Sequence, residues 1–302
     1  MVQDKTTVTT HGTTSNSASG YAALLSGFRL HLTIGGLRPS TIAHYLRDAE
    51  RFCCHLNGRP LGGAVPATVR NHLAAYQENH SSKTVREAQI ALRRFFRWLQ
   101  EEGEIQEDPM RNMRLAAFRV EPQPTYTKEE IKRLLRCCDP KTPLGVRDRA
   151  LVLILWDTGV RESELLSMQA VDWKHRNIQV SGKTGTRNVP LGGAALRALD
   201  RYRRHWCVEG GTFWRGGHGP LTASGVLQIV RRLCRRAGVQ HKGVHAFRRA
   251  AAAEMKRLGM NDSDILEICG WKSVIMLRRY TATVAGELAQ RAHDLYSPAD
   301  NL

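Results

Sequence analysis

The stretch from Glu104 to Tyr126 constrains the fold of this chain more than any other segment. It contains Pro109, Pro122 and Pro124 and has no sustained helical periodicity of apolar residues. Proline lacks a backbone donor and clashes with the preceding helical turn, so such a segment separates folded elements rather than forming one. We therefore predict an interdomain linker at residues 106–126. With 302 residues, the chain is long enough for a domain with its own core on each side.

The segment before the linker has the pattern of a small helical domain, predicted at residues 19–105. Apolar residues recur there at spacings of three and four, which gives a helix one face to bury. Residues 1–18 contain almost no large apolar side chains, so we expect them to form a flexible tail. The four predicted helices are at residues 21–32, 39–56, 66–77 and 82–101.

The segment after the linker, residues 127–302, is predicted to be a second domain. Thr127 and Glu130 form a capping-box pattern that opens a helix, and residues 146–156 are apolar enough for a central core helix. The pattern then changes to short strands near residues 170–173, 177–181 and 187–191, before helices resume at 193–206 and 223–237. The predicted fold class is therefore mainly α with a small antiparallel β-sheet.

The composition indicates a polyanionic partner. Forty-five Lys and Arg against 28 Asp and Glu give a formal charge of +17, which favours nucleic acid over a basic surface kept for solubility alone. The seven cysteines show no Cys-x-x-Cys spacing, so we expect no metal site and a reducing cytoplasm. We expect no membrane association, because no apolar run is long enough to span a bilayer and the N-terminus lacks a signal peptide pattern.

The residues with the clearest chemical meaning lie between His245 and Tyr280. His245 and Arg248 are three positions apart, so on a helix they share a face and can reach one phosphate together. A tyrosine downstream of such a pair suggests phosphoryl transfer through a covalent tyrosine intermediate. Upstream, Arg161 directly follows a glycine turn and Lys183 lies between glycines in a turn. Taken alone, each of the latter two is typical of a solvated surface cation.

Taken in order, these positions resemble the motifs of the tyrosine recombinases, also called the phage integrase family. The similarity extends from about Tyr21 to Tyr296 and implies an N-terminal helical core-binding domain followed by a mixed α/β catalytic domain. Two positions, Arg249 and Trp271, differ from the histidine of many members but stay within the range of the family. The matching positions are Thr158, Gly159, Arg161, Glu164, Lys183, His245, Arg248, Arg249, Gly270, Trp271 and Tyr280.

The resemblance implies a role for each catalytic position. Arg161 and Arg248 would bind the non-bridging phosphate oxygens, where charge develops during the reaction. Tyr280 would attack phosphorus, leaving a 3′-phosphotyrosyl bond and a free 5′-hydroxyl. His245 would act as the base or as a hydrogen-bond donor to the phosphate, and Lys183 as the acid for the leaving 5′-oxygen.

Three of the assigned roles have an alternative interpretation. Glu164 would orient Arg161 or His245, or act only as an acid in the first turn of a helix. Trp271 would donate its indole N–H to a phosphate oxygen, or pack as a core side chain. Tyr296 competes with Tyr280 as the nucleophile, but it follows a predicted helix and precedes Ser-Pro, outside the terminal motif.

The implied function is site-specific DNA recombination through a Holliday junction, of the integration, transposition or dimer-resolution type. The implied partners are double-stranded DNA with paired inverted core sites, three further copies of the chain in a tetramer, and a candidate accessory protein. Neither a metal nor another cofactor is expected. A C-terminal helix at residues 284–295 would dock on a neighbouring copy or on its own domain. The competing functions are a type IB topoisomerase and a DNA-binding regulator without catalysis.

Polar and basic residues on the predicted helices and strands are candidates for contacts to DNA. A solvated helix face is the alternative for each, and favourable placement near a helix C-terminus is the alternative for the arginine cluster at 231–236. The predicted DNA-binding residues are Ser40, Thr41, His44, Arg47, Lys83, Thr84, Arg86, Arg187, Arg231, Arg232 and Arg235.

Overall fold

A computed structural model describes residues 16–117, 123–182, 185–206, 212–217, 219–282 and 284–302. The chain divides into two compact units, Met1–Val120 and Glu121–Leu302. The predicted fold class is confirmed, because the described elements are helices apart from one three-stranded antiparallel sheet. Within the described residues, no helix is both long and apolar enough to cross a bilayer.

The first unit is helical and has an aromatic core. Its α-helices are α1 (Asn16–Ile34), α2 (Pro39–Leu56), α3 (Pro66–Gln77) and α4 (Ser82–Glu101). Proline at the first position favours the starts of α2 and α3, and the Ser81 hydroxyl caps α4 by accepting from the backbone of Thr84. Phe28, Phe52 and Phe95 are completely buried between the helices.

The described residues cover only parts of the predicted tail and linker. Residues 1–15 lie outside the described part of the chain, while residues 16–18 already belong to α1. The described first part of the predicted linker packs on α4: Met110 is completely buried, and the backbone of Ala116 donates to the Gln89 side chain. A single buried apolar residue such as Met110 is not part of a periodic pattern, so its burial could not be predicted from the spacing of apolar residues.

The second unit surrounds the apolar helix α6. Its first helices are α5 (Lys128–Arg136), α6 (Pro143–Thr158) and α7 (Glu162–Leu166), and its later helices are α8 (Gly193–Trp206), α9 (Ala223–Ala237), α10 (His245–Arg257), α11 (Asp262–Cys269), α12 (Val274–Thr281) and α13 (Ala285–Tyr296). The predicted capping box of α5 is present, with reciprocal bonds between Thr127 and Glu130. Helices α8 and α10 pack on α6, whose Ile154 and Leu155 are buried.

The sheet follows α7 and has the order β1-β2-β3. Its strands are β1 (Val171–Asp172), β2 (Asn177–Gly182) and β3 (Gly185–Pro190), all paired antiparallel. The register between β2 and β3 places Ile178 opposite Val189, and both side chains are buried on one face. Because side chains two positions apart in a strand point to the same face, Arg187 shares the face of Val189.

Candidate active site

Five of the six predicted catalytic residues lie at the ends of helices in the second unit. Arg161 precedes α7, His245 and Arg248 are in the first turn of α10, Trp271 follows α11, and Tyr280 is in the last turn of α12. The structure brings these five residues into one cluster through the contacts below. Lys183, the sixth, lies outside the described residues.

Small residues let the helices that carry this cluster approach closely. Alanines at residues 250–253 allow α10 to pack against α6 and α12. Gly159, with φ +60°, ends α6 in the left-handed conformation, and a Cβ there would lie 3.2 Å from the Ala251 Cβ. Glycine adopts this conformation without strain, so it allows the chain to turn into Arg161 beside α10.

Tyr280 is held beside His245 and Trp271. It lies three positions after Leu277, which is buried, so the two side chains share the inward face of α12. The Tyr280 hydroxyl is 3.2 Å from Nε2 of His245. The Tyr280 ring stacks on the Trp271 ring, with 4.9 Å between centroids and 20° between planes. Tyr296, the competing nucleophile, lies in α13 with 77% of its surface exposed.

Arg248 is almost completely buried beneath Trp271, with 1% of its surface exposed. Its guanidinium carbon is 4.7 Å from the Trp271 ring centre. One terminal nitrogen donates to the carbonyl of Gly159 at 2.6 Å and the other to the carbonyl of Cys269, while Nε has no partner among the described residues. Burial lowers the pKa of Arg248 to about 10, so the side chain stays charged at neutral pH.

Glu164 is a completely buried carboxylate that accepts hydrogen bonds from two arginines. It accepts from the backbone of Arg161 at 2.8 Å and from its guanidinium at 2.6 Å. Arg187 donates to both carboxylate oxygens, at 2.8 and 3.0 Å. Burial alone would raise the pKa of Glu164, but the hydrogen bonds from Arg187 and Arg161 outweigh it and lower that pKa to about 2. The carboxylate thus both orients Arg161 and lies in the first turn of α7.

His245 is surrounded by positive charge. Desolvation, and then the charges of Arg248, Arg249 and Arg161, lower its pKa to about 4. The residue is exposed on one side at the start of α10, and contact with solvent there reduces both effects without changing the direction of the pKa shift. Its imidazole is therefore neutral near pH 7, and a neutral imidazole has one nitrogen that accepts a proton.

The predicted DNA-binding residues are distributed over both units, and several have protein partners. Arg86 donates to the carbonyl of Ala116 at 2.8 Å, and Arg232 bonds the buried Asp148. The exposed positions among them are Ser40, Arg47, Lys83, Arg231 and Arg235, and the half-buried positions are Thr41, His44 and Thr84. Contacts of all these residues with DNA remain predictions.

Arg187 lies in the site, a position that was not predicted from the sequence. Its contact with DNA stays a prediction, and its guanidinium lies against Glu164 and the carbonyls of Ile268 and Cys269. Strand alternation contains the signal that was missed, because Arg187 is two positions before the buried Val189. A second missed contact joins Arg249 to the carbonyl of Pro124.

Comparison with known proteins gives consistent matches along the chain. Residues 124–286 match the family described as "Phage integrase family", and residues 25–103 match "Phage integrase, N-terminal SAM-like domain". Tyrosine recombinase XerC of Oceanobacillus iheyensis is 30% identical over 276 residues, which cover 83% of this chain and 88% of that protein.

Among solved structures, a lambda integrase (75–356) dimer bound to a COC′ core site matches with a TM-score of 0.72 at 19% identity, covering 84% of this chain and 96% of the other. A lambda integrase tetramer bound to a Holliday junction matches with a TM-score of 0.71 at 19% identity, covering 86% and 81%. At these identities, the structural matches establish a shared fold.

Proposed function

The chain belongs to the phage integrase family of tyrosine recombinases, and from this premise we propose that Tyr280 is the nucleophile with which it cleaves DNA. The function predicted from the sequence, site-specific DNA recombination, is confirmed by this family membership. The assignment of Tyr280 depends on one observation above all. Its hydroxyl is 3.2 Å from Nε2 of His245, in the cluster that also contains Trp271 and Arg248.

In the cleavage step, the Tyr280 oxygen attacks the phosphorus of a DNA phosphodiester. The bond from phosphorus to the 5′-oxygen breaks as the bond from phosphorus to the tyrosine oxygen forms, which leaves a 3′-phosphotyrosyl linkage. The tyrosine proton passes to Nε2 of His245, and the departing 5′-oxygen takes a proton from Lys183. The reverse reaction with the 5′-hydroxyl of another strand restores the tyrosine and joins the DNA.

The charge around His245 supports its role as the proton acceptor. Without DNA, desolvation and the charges of the three neighbouring arginines lower the pKa of His245 to about 4, so the imidazole is neutral. A bound phosphate carries negative charge that offsets the arginines, so DNA binding raises the pKa of His245 toward its ordinary value. The imidazole then becomes a stronger base only when a substrate is in place.

Arg161 and Arg248 supply fixed positive charge for the phosphate. The Arg161 side chain is 26% exposed, so it extends toward solvent from the buried carboxylate that orients it. Arg248 is fixed by two backbone carbonyls and by the Trp271 ring. Donors that are in place before the reaction lower the barrier without reorganisation, and this is the arrangement that phosphoryl transfer through a tyrosine requires.

The proposed substrate is double-stranded DNA with paired inverted core sites, bound by four copies of the chain in a Holliday-junction intermediate. The formal charge of +17 supports a polyanionic substrate. Helix α13 has no buried residue, and Leu295 is 71% exposed, which favours docking of this helix on a neighbouring copy. An accessory protein that selects the reaction is a further proposed partner.

Covalent trapping tests the proposal. A binding site is first located by footprinting and built into a nicked duplex that releases a short strand after cleavage, so that the covalent adduct accumulates. Wild-type protein is expected to give an adduct that withstands SDS, Tyr280→Phe to give none, and the control Tyr296→Phe to give the wild-type amount. Binding without any wild-type adduct would instead indicate a regulator that has lost catalysis.

A further inference from the structure

The guanidinium of Arg187 connects Glu164, 23 positions earlier in the chain, with Ile268 at the end of α11, 81 positions later. Arg187 lies in β3 and is 12% exposed. We propose that Arg187 is a positioning residue for cleavage, which fixes Arg161, through Glu164, relative to the end of α11 that leads into Trp271. The proposal rests on the function proposed above.

On one side, Arg187 and Arg161 donate hydrogen bonds to the same carboxylate, that of Glu164. Arg187 donates in bidentate fashion to Glu164, at 2.8 Å to Oε1 and 3.0 Å to Oε2. Arg161 donates its guanidinium to Oε1 and its backbone N–H to Oε2. A carboxylate accepts about four hydrogen bonds, so these four donors saturate it. Arg187 therefore limits how strongly Glu164 draws the Arg161 guanidinium away from the phosphate.

On the other side, Arg187 holds the end of α11. Its Nε donates to the carbonyl of Ile268 at 3.3 Å and one terminal nitrogen donates to the carbonyl of Cys269 at 3.3 Å. The Cys269 carbonyl also accepts from Arg248. Two arginines thus meet at the carbonyl group that lies two residues before Trp271, which stacks on Tyr280.

The glycine between Cys269 and Trp271 makes this approach possible. Gly270 has φ +62°, and a Cβ built there would lie 2.7 Å from the guanidinium carbon of Arg187. Any larger residue at position 270 would both strain the backbone and displace the guanidinium. The Gly270–Trp271 pair, whose tryptophan stacks on Tyr280, is therefore packed directly against the guanidinium of Arg187.

Lysine cannot replace this arginine. A guanidinium presents several donors in a fixed plane, which can reach two carboxylate oxygens and two carbonyls at once, whereas an ammonium is a point charge. Arg187→Lys should therefore keep Glu164 ionised but leave the end of α11 without its anchor. Comparing Arg187→Lys with wild type therefore separates the effect of the positive charge at position 187 from the effect of the guanidinium geometry.

The test measures single-turnover cleavage of the trapping substrate and DNA affinity for five variants of the full chain. They are Arg187→Gln, Arg187→Lys, Glu164→Gln, the double variant Arg187→Gln/Glu164→Gln, and the control Arg147→Gln. Arg147 is the matched control because it is 3% exposed and donates to a carboxylate, that of Asp148, outside the cluster. Thermal unfolding of each variant fixes a temperature at which all of them are folded.

Arg187→Gln is expected to slow cleavage about 100-fold, the size of effect that a displacement of about 1 Å causes in an active site, with DNA affinity changed by less than about 2-fold. Arg147→Gln should cleave at the wild-type rate. Because Arg187 acts on Arg161 partly through Glu164, the double variant should be slowed by less than the product of the two single effects.

The pH dependence separates positioning from a general loss of structure. Arg161, Arg187 and Arg248 face Glu164, and the Cys269 thiol lies in the same cluster. Removing Arg187 raises the pKa of Glu164, so the cleavage rate of Arg187→Gln relative to wild type should fall further as the pH is lowered. Arg187→Lys should cleave slowly but without this additional loss at acid pH.

Each contrary result has a distinct meaning. Cleavage by Arg187→Gln at the rate of Arg147→Gln would overturn the positioning role while leaving the proposed function intact. A loss of DNA affinity with a shallower salt dependence would overturn it in favour of a phosphate contact. Absence of an adduct with wild-type protein would overturn the proposed function itself, and the role of Arg187 with it.

Discussion

Replacing Glu164 with glutamine removes the most strongly perturbed carboxylate of the site while keeping its shape. The pKa of Glu164 is lowered from 4.5 to about 2 in the folded chain. Each pKa unit corresponds to about 1.4 kcal/mol, so the ionised carboxylate contributes about 3 kcal/mol to the free energy of unfolding at neutral pH. Glu164→Gln also turns an amide N–H toward arginine donors, which adds to the loss. We expect the variant to be destabilised by about 3 kcal/mol or more.

The sign of the effect with pH follows from the direction of the shift. A carboxylate whose pKa is lowered on folding stabilises the protein fully above its unfolded pKa, and that stabilisation is lost as the pH falls through the folded pKa. The difference between wild type and Glu164→Gln should therefore be full at pH 7 and shrink between about pH 4.5 and 2.

Urea unfolding followed by tryptophan fluorescence measures this difference. Trp98 lies in the first unit and the other five tryptophans lie in the second, so the signal reports mainly on the unit that contains Glu164. The control is Glu287→Gln, which removes an exposed carboxylate paired with Arg257 and should change stability little. Equal stability of Glu164→Gln and wild type at pH 7, or a difference that persists unchanged to pH 2, would refute the reasoning.

Two further predictions concern proton transfer. Lys183→Ala should slow cleavage at an ordinary 5′-oxygen far more than at a 5′-phosphorothiolate, whose leaving group needs little acid assistance; equal slowing with both substrates would exclude Lys183 as the acid. Because the pKa of His245 is lowered to about 4, protonation of this imidazole favours the unfolded chain, so wild-type stability should fall as the pH drops from about 6.5 to 4. His245→Gln should weaken that dependence in the same urea assay and slow cleavage at every pH, and an unchanged pH dependence would contradict the shifted pKa.

Local sequence signals predicted much of the fold because their causes are local. The capping box of Thr127 and Glu130, the prolines that open α2 and α3 and the alternation in β2 and β3 each act within a few residues. The predicted strand near 170–173 is shorter in the structure, at Val171–Asp172, and β3 begins two residues earlier than predicted, at Gly185. Pairing with a neighbouring strand sets such ends, and pairing is not a local property.

For the site, the order of Arg161, His245, Arg248, Trp271 and Tyr280 resembles the motifs of the tyrosine recombinases, and this resemblance predicted the enzyme class from the sequence alone. Residue type and order along the chain do not depend on the tertiary structure. The tertiary structure decided which groups these side chains meet. It placed Arg187 on Glu164 and on the carbonyls before Trp271, and it surrounded His245 with arginines. Hydrogen bonds and pKa values depend on distances between atoms far apart in the chain, and only folding sets those distances.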